Sequence, residues 1–157
     1  MPKAWPLVFA LLIAGCGGGG GAALLEGSSG TVATSFSNAS SFNGNTSALT
    51  SYTTLDGSVN GNTITISVQN VDRNLETSFI SPSLASGTTV DLSGSTGSVV
   101  VYSDTNGTWG ATSGTVTVVS HTSTGVQLQF TNVVLTNESG GATGSVTLSG
   151  TVTFVAG

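Results

Sequence analysis

From about residue 60 onward the chain alternates apolar and polar residues with a period of two. Over residues 145–154 this sets Val146, Leu148, Val152 and Phe154 on one side of a pleated strand and Ser145, Thr147, Ser149, Thr151 and Thr153 on the other. Gly150 falls on the inward side, where a strand glycine signals a bend or the close approach of a neighbour. Residues 63–68 repeat the pattern with Ile64, Ile66 and Val68, residues 115–119 with Val116 and Val118, and residues 126–130 with Val126, Leu128 and Phe130. Residues 98–102 are continuously apolar enough to predict a strand covered on both faces. Less regular runs at 31–36, 49–55, 75–80 and 88–92 add further strands. No stretch beyond Cys16 spaces apolar residues as a helix would over three turns, so helix should be almost absent.

Turn signals separate these runs: Asp56-Gly57, Asn60-Gly61-Asn62, Ser86-Gly87, Gly94-Ser95-Thr96-Gly97, Asn106-Gly107, Ser113-Gly114 and Ser139-Gly140-Gly141. Such pairs supply the positive φ angles that tight hairpins need. A spacing of roughly ten residues between turns points to antiparallel hairpins and not to βαβ units. The expected fold is all-β, an antiparallel sandwich of about eight to ten strands, with an up-and-down barrel as the alternative. A phrase of glycine, Ser or Thr, then valine recurs at Gly30, Gly97, Gly114, Gly144 and Gly150. Its irregular spacing marks strand-start chemistry and not a solenoid repeat.

Composition changes the picture in two ways. Charged residues are 6% of the chain, against about 25% in a typical soluble domain, so Ser, Thr, Asn and Gly must supply the polar surface. Such chains often stay disordered, but a 38% hydrophobic fraction arranged in alternation argues for a packed core. Beyond the first fifteen residues Arg73 is the only Lys or Arg, against seven acids. Binding to a phosphate backbone needs clustered basic side chains, so nucleic acid is excluded as a partner, and attraction to anionic headgroups fails for the same reason.

The N-terminus has the order of an export signal: one charge at Lys3, an apolar stretch over residues 4–14, then small residues. That stretch is too short for a span, which needs roughly 20 apolar residues. The ending Leu12-Ile13-Ala14-Gly15-Cys16 resembles the lipobox of bacterial lipoproteins, with an aliphatic residue three before the cysteine and small residues directly before it. The resemblance implies that Cys16 receives a diacylglyceryl thioether, that the chain is cut before it, and that the new amino terminus is acylated. The bland alternative is an ordinary buried thiol behind a generic signal; against it, Cys16 is the chain's only cysteine and stands where the family needs one. No disulfide is possible within one chain. Gly17 to Gly21 is a glycine run, read as a flexible tether with a reach on the order of 12 Å. Lacking a following Gly-Lys-Ser/Thr, it is no phosphate loop. The expected organisation is a signal peptide over 1–15, a lipidated cysteine and tether over 16–27, and a single all-β domain over 28–157. Gly17, where an aspartate would favour inner-membrane retention in Gram-negative members of the family, implies the outer membrane for such a source. Part of the chain, Tyr102, Gly107-Thr108-Trp109 and residues 113–118 on to Phe154, also resembles β-rich domains of bacterial surface lipoproteins, a likeness that carries no activity with it.

Chemistry-bearing residues are few. His121 is the only histidine, in the polar, glycine-ended loop of residues 120–125. A catalytic base would need a nearby nucleophile and carboxylate, no Gly-x-Ser-x-Gly elbow exists, and an exposed turn histidine is the favoured reading. With one histidine and a cysteine committed to lipid, no zinc ligand set remains. Asp104 and Asn106, in Asp104-Thr105-Asn106-Gly107, alternate oxygen side chains as calcium prefers, but lack the closing glutamate, so a hairpin turn is favoured over a metal site. Asp72-Arg73 near Glu76 could hold a carboxylate or a sugar; a local surface ion pair is the commoner arrangement. The seven acids show no paired motif for glycoside hydrolysis. Trp109 could stack on sugars, but a buried anchor is favoured because few other large residues can fill the centre. No cofactor is implied. The expected function is a membrane-anchored surface lipoprotein with a non-enzymatic structural or binding module for a protein or glycan. A β-barrel carrier of an apolar ligand is the alternative, and an enzyme comes last.

Overall fold

A computed structural model describes residues 28–93 and 99–157; the lipobox, the glycine tether and the turn at residues 94–97 lie outside the described residues. Alternation becomes strand throughout: β1 (Ser29–Ser40), β2 (Thr54–Asn60), β3 (Thr63–Asn70), β4 (Arg73–Ile80), β5 (Thr88–Asp91), β6 (Val99–Asp104), β7 (Gly107–His121), β8 (Gly125–Gly140) and β9 (Ser145–Val155). They form one antiparallel sheet in the order β1-β9-β8-β7-β6-β4-β3-β2, with β5 beside the second half of β7. The sheet curls into a half-barrel, a sandwich-like all-β fold as the alternation predicts. No helix occurs among the described residues.

The inward side chains fill the interior. Val146, Leu148, Val152 and Phe154 of β9 are buried, as are Ile64, Ile66 and Val68 of β3, Val116 and Val118 of β7, and Val126, Leu128 and Phe130 of β8. Trp109, Tyr102 and Phe79 are its largest fully buried members. Each fully buried Leu, Val or Phe contributes roughly 1.5–3 kcal/mol of transfer free energy, and these burials offset the chain entropy that a Ser/Thr/Gly-rich sequence loses on folding.

The long strands bend where the alternation breaks phase. In β8 the inward set changes from Val126, Leu128 and Phe130 to Val133 and Leu135, across a bulge in which Asn132 has φ 50°. Beside it β7 bulges at Gly114, with φ 103°, where a Cβ would meet the Asn132 carbonyl oxygen at 2.5 Å. Gly150 of β9 pairs with Phe130 on one side and Thr34 on the other. Bulges of this kind kink a strand and increase its twist, and their alignment across neighbouring strands curls the sheet.

Several expectations need correction. Asp56-Gly57 is no turn: both lie inside β2, and Gly57 leaves room for the Phe154 ring, which would stand 3.0 Å from a Cβ there. Ser113-Gly114 is a bulge inside β7 and not a connection. The run at 49–55 is not one strand. Leu49 makes a two-bond bridge to Thr34 of β1, and β2 begins only at Thr54. The strand expected at 98–102 is covered on one face, since Val100 and Tyr102 are buried while Val99 is 48% exposed.

The two outermost strands meet through side chains. Ser28 Oγ donates to the Leu55 carbonyl of β2, and the Tyr52 hydroxyl both accepts from Gly30 N and donates to Gly30 O at 3.1 Å. Covering of this kind protects edges that would otherwise pair with other chains.

Candidate functional site

The densest polar arrangement stands at one end of the half-barrel, where the β3–β4 and β6–β7 turns meet the segment of residues 41–47. Its floor is aromatic. Phe42 lies 4.5 Å from Trp109 between ring centroids, Tyr102 lies 5.8 Å from Trp109, and Phe36 lies 5.0 Å from Tyr102. Trp109 is fully buried and its Nε1 donates to the Thr143 carbonyl at 3.1 Å, so it anchors the core and offers no face to a sugar. Gly44 lets the 41–47 segment pass over this cluster: a Cβ there would stand 2.8 Å from the Trp109 ring.

Asp104 pins that segment. Its Oδ2 accepts from Asn45 N at 2.7 Å, and its Oδ1 accepts from Asn106 N at 2.7 Å across the β6–β7 turn. The Tyr102 hydroxyl donates to the Asn45 carbonyl at 2.9 Å and reaches Asp104 Oδ2 at 3.4 Å. Burial pushes the Tyr102 phenol well above its ordinary 10.0, the Asp104 charge adds to that shift, and Arg73 opposes it. Asn106 Nδ2 donates to the Asn43 carbonyl at 2.9 Å. Asn43 in turn bonds the β8–β9 connection, donating to the Gly141 carbonyl at 2.9 Å and accepting from Thr143 N at 2.8 Å.

Asp104 and Asn106 are thus brought together as a turn that straps residues 43–45 down. Each carboxylate oxygen accepts from one backbone amide, and these two bonds fix the turn against the 41–47 segment. Among the described residues no group of three or more His, Cys, Asp or Glu side chains is placed to hold a metal ion. Sequence reasoning missed Asn43, Asn45 and Thr143. The only signal for them was Asn43-Gly44-Asn45, a turn-like cluster in a stretch without alternation.

Beside the strap lies an open depression of about 380 Å³ lined by residues 69–74 and 103–105. Arg73 forms part of it with its side chain only 10% exposed. Its Nη1 donates to the Ser47 carbonyl at 2.6 Å, while Nε stands 3.5 Å from Asp72 Oδ1 without hydrogen-bond alignment. Arg73 is therefore a second fastening for the 41–47 segment, and its pairing with half-exposed Asp72 is Coulombic and weak. Glu76 is not part of this pair: its Oε1 accepts from Asn74 Nδ2 at 2.8 Å. His121 lies at the far end of β7 from the Asp104 turn and is exposed, so the strap and the imidazole form no common site. Comparison with protein-family models, curated proteins and solved structures gives no match.

Proposed function

We propose that the protein is a bacterial lipoprotein, cut before Cys16, lipidated on its thiol, and displaying the β module at an envelope membrane in a non-enzymatic structural or binding role. The observation that carries this reading is Leu12-Ile13-Ala14-Gly15-Cys16 placed directly after Lys3 and the apolar stretch of residues 4–14. The acyl chains supply the membrane affinity, each buried methylene contributing about 0.8 kcal/mol, and more than one chain makes the anchor stable. An outer-membrane location follows for a Gram-negative source, from Gly17.

The polarity of the sheet supports an anchor over a spanning barrel. A membrane barrel turns apolar side chains outward to lipid; here Thr147, Ser149, Thr151 and Thr153 point outward and Val146, Leu148, Val152 and Phe154 inward. The filled interior likewise favours a display module over a carrier, since Trp109, Tyr102, Phe79 and Phe130 occupy the space a carried ligand would need.

Detergent-phase partitioning tests the anchor. The wild-type protein expressed in a bacterial host is expected in the detergent phase, and Cys16→Ser in the aqueous phase or as uncut precursor. Identical partitioning of the two would overturn the reading.

A further inference from the structure

Asparagine followed by glycine occurs three times in the chain, at Asn43-Gly44, Asn60-Gly61 and Asn106-Gly107. In such a pair the glycine nitrogen can attack the asparagine carboxamide, because no side chain on the glycine blocks the approach. All three asparagines are exposed, so exposure does not separate them. Freedom of movement does. Asn43 is held at both ends of its carboxamide, by the Gly141 carbonyl at 2.9 Å and by Thr143 N at 2.8 Å, and Asn106 Nδ2 is held by the Asn43 carbonyl at 2.9 Å. Their glycines are wedged as well: a Cβ on Gly44 would stand 2.6 Å from the Phe42 ring, and one on Gly107 would run into Ala142 N. Gly107 is also a ladder residue, paired with Asp104 and with Gly140. Asn60 closes the β2–β3 ladder opposite Thr63, which leaves Gly61 in the two-residue turn at φ 57°, with nothing within 4 Å of where a Cβ would be. Among the described residues no hydrogen bond holds the Asn60 carboxamide or the Gly61 amide. The turn is fastened on its other side, where Asn62 Nδ2 donates to the Pro82 carbonyl at 3.3 Å and the Asn62 carbonyl accepts from Ser81 N at 2.8 Å.

From this contrast we infer that Asn60 is a site of spontaneous deamidation, and that the strap shields Asn43 and Asn106 from the same reaction. Hydroxide removes the Gly61 amide proton, and the nitrogen bonds to Asn60 Cγ. The Cγ–Nδ2 bond then breaks, Nδ2 takes a proton from water and leaves as ammonia, and a succinimide ring remains. Water next adds to one of the two ring carbonyls and opens the ring, to aspartate on one side and to isoaspartate on the other. Ring closure needs the nitrogen and Cγ brought to about 3–3.5 Å in line for attack, a geometry that a freely turning carboxamide reaches and one fixed at both ends does not. Either product adds a negative charge to a chain whose net charge is already -5. Isoaspartate also inserts a methylene into the main chain at the last pair of β2, an outermost strand with β3 as its neighbour in the sheet. The element it loosens is β2 and not the strap, because Asn60 lies at the opposite end of the half-barrel from the paired turns of Arg73 and Asp104.

The test incubates the full chain in detergent at mildly alkaline pH, either folded or in concentrated urea, and locates converted residues by mass spectrometry of its peptides, with isoaspartate separated from aspartate by chromatography. In the folded protein Asn60 is expected to convert roughly tenfold or more faster than Asn43 or Asn106, and in urea the three are expected to convert at similar rates. Gly61→Asp keeps a residue that tolerates positive φ and adds a Cβ beside the attacking nitrogen, so conversion of Asn60 should fall by a similar factor while the melt stays close to that of wild type. Asp104→Ala, which loosens the strap, should speed conversion at Asn43 and leave the rate at Asn60 unchanged. Equal rates at the three asparagines of the folded protein, an intact Asn60 once the urea sample has converted, an Asn60 rate untouched by Gly61→Asp, or an Asn43 still protected in Asp104→Ala would overturn the inference. Lipidation of Cys16 enters none of these outcomes.

Discussion

Removing the Asp104 carboxylate should loosen the strap over the aromatic cluster. Asp104→Ala leaves two backbone amides without their acceptors, Asn45 N and Asn106 N, each now held at 2.7 Å. Hydrogen bonds to a charged group contribute about 1.5–3 kcal/mol each. Asn106 sits on an exposed turn, where water can replace the lost acceptor, so its share is small. Asn45 is half-buried against Tyr102, and its amide loses most of its bond. The expected destabilisation is about 2–3 kcal/mol, which for a domain of this size lowers the melting temperature by roughly 6–12 °C. Asp104→Asn retains an acceptor and should lose about half as much. Thermal melts of the three proteins, each with and without calcium, decide the matter. A ligand at about 100 times its dissociation constant would add roughly 2.7 kcal/mol, and no such rise is expected, since among the described residues Asp104 has no cluster of further acidic, histidine or cysteine side chains beside it to complete a cation site. An Asp104→Ala melt within a degree of wild type would refute the strap. A calcium-dependent rise abolished by Asp104→Ala would make the turn a metal site instead.

Three other perturbations probe different parts of the account. The Tyr102 phenol is held protonated by burial and by Asp104, so its contribution to stability is complete below pH 10, the unfolded value, and is lost as pH climbs toward the higher folded value. Denaturant unfolding above pH 10 should show that loss, and Tyr102→Phe should reduce its slope; equal slopes would refute the assignment. His121→Ala should change stability by no more than about 0.5 kcal/mol, as exposed substitutions usually do, and leave ester, peptide and glycoside substrates as untouched as before. Hydrolysis by the wild type that vanishes in the variant would make the protein an enzyme. Gly150→Ala should cost more than about 2 kcal/mol, because Gly150 has φ 138° and an added Cβ would run into the Ala33 carbonyl and stand 2.6 Å from Thr34 Cα; a melt like that of wild type would show that β1 can move aside.

Strands that keep one phase could be read directly. β3, β4 and β9 match their alternating runs to within a few residues, and the inward glycine at 150 marks the close approach of β1. Where a bulge intervenes, period-two reasoning loses the element. The second half of β8, with Val133 and Leu135 inward, was invisible because the bulge around Asn132 moves the apolar set from even to odd positions. The same happens in β7, where Trp109 faces inward at an odd position and Val116 at an even one. Gly114 therefore reads as a turn although it is a kink in a continuing strand. Beyond the turn-like cluster Asn43-Gly44-Asn45, the strap was not legible. Its order comes from Asp104, Asn106, Arg73 and Thr143, far along the chain from residues 41–47, and a local pattern carries no record of such contacts. The turn nature of Asp104-Thr105-Asn106-Gly107 was legible, because an aspartate before two turn residues accepts from the backbone two positions on.

The central claim concerns the N-terminus, and mass spectrometry of the N-terminal peptide from the membrane fraction of a bacterial host tests it most directly. The account predicts a chain that begins at Cys16, with its sulfur carrying a diacylglyceryl group and its amine acylated. A peptide that begins at Met1, or a cut elsewhere that leaves Cys16 as a free thiol, would contradict it.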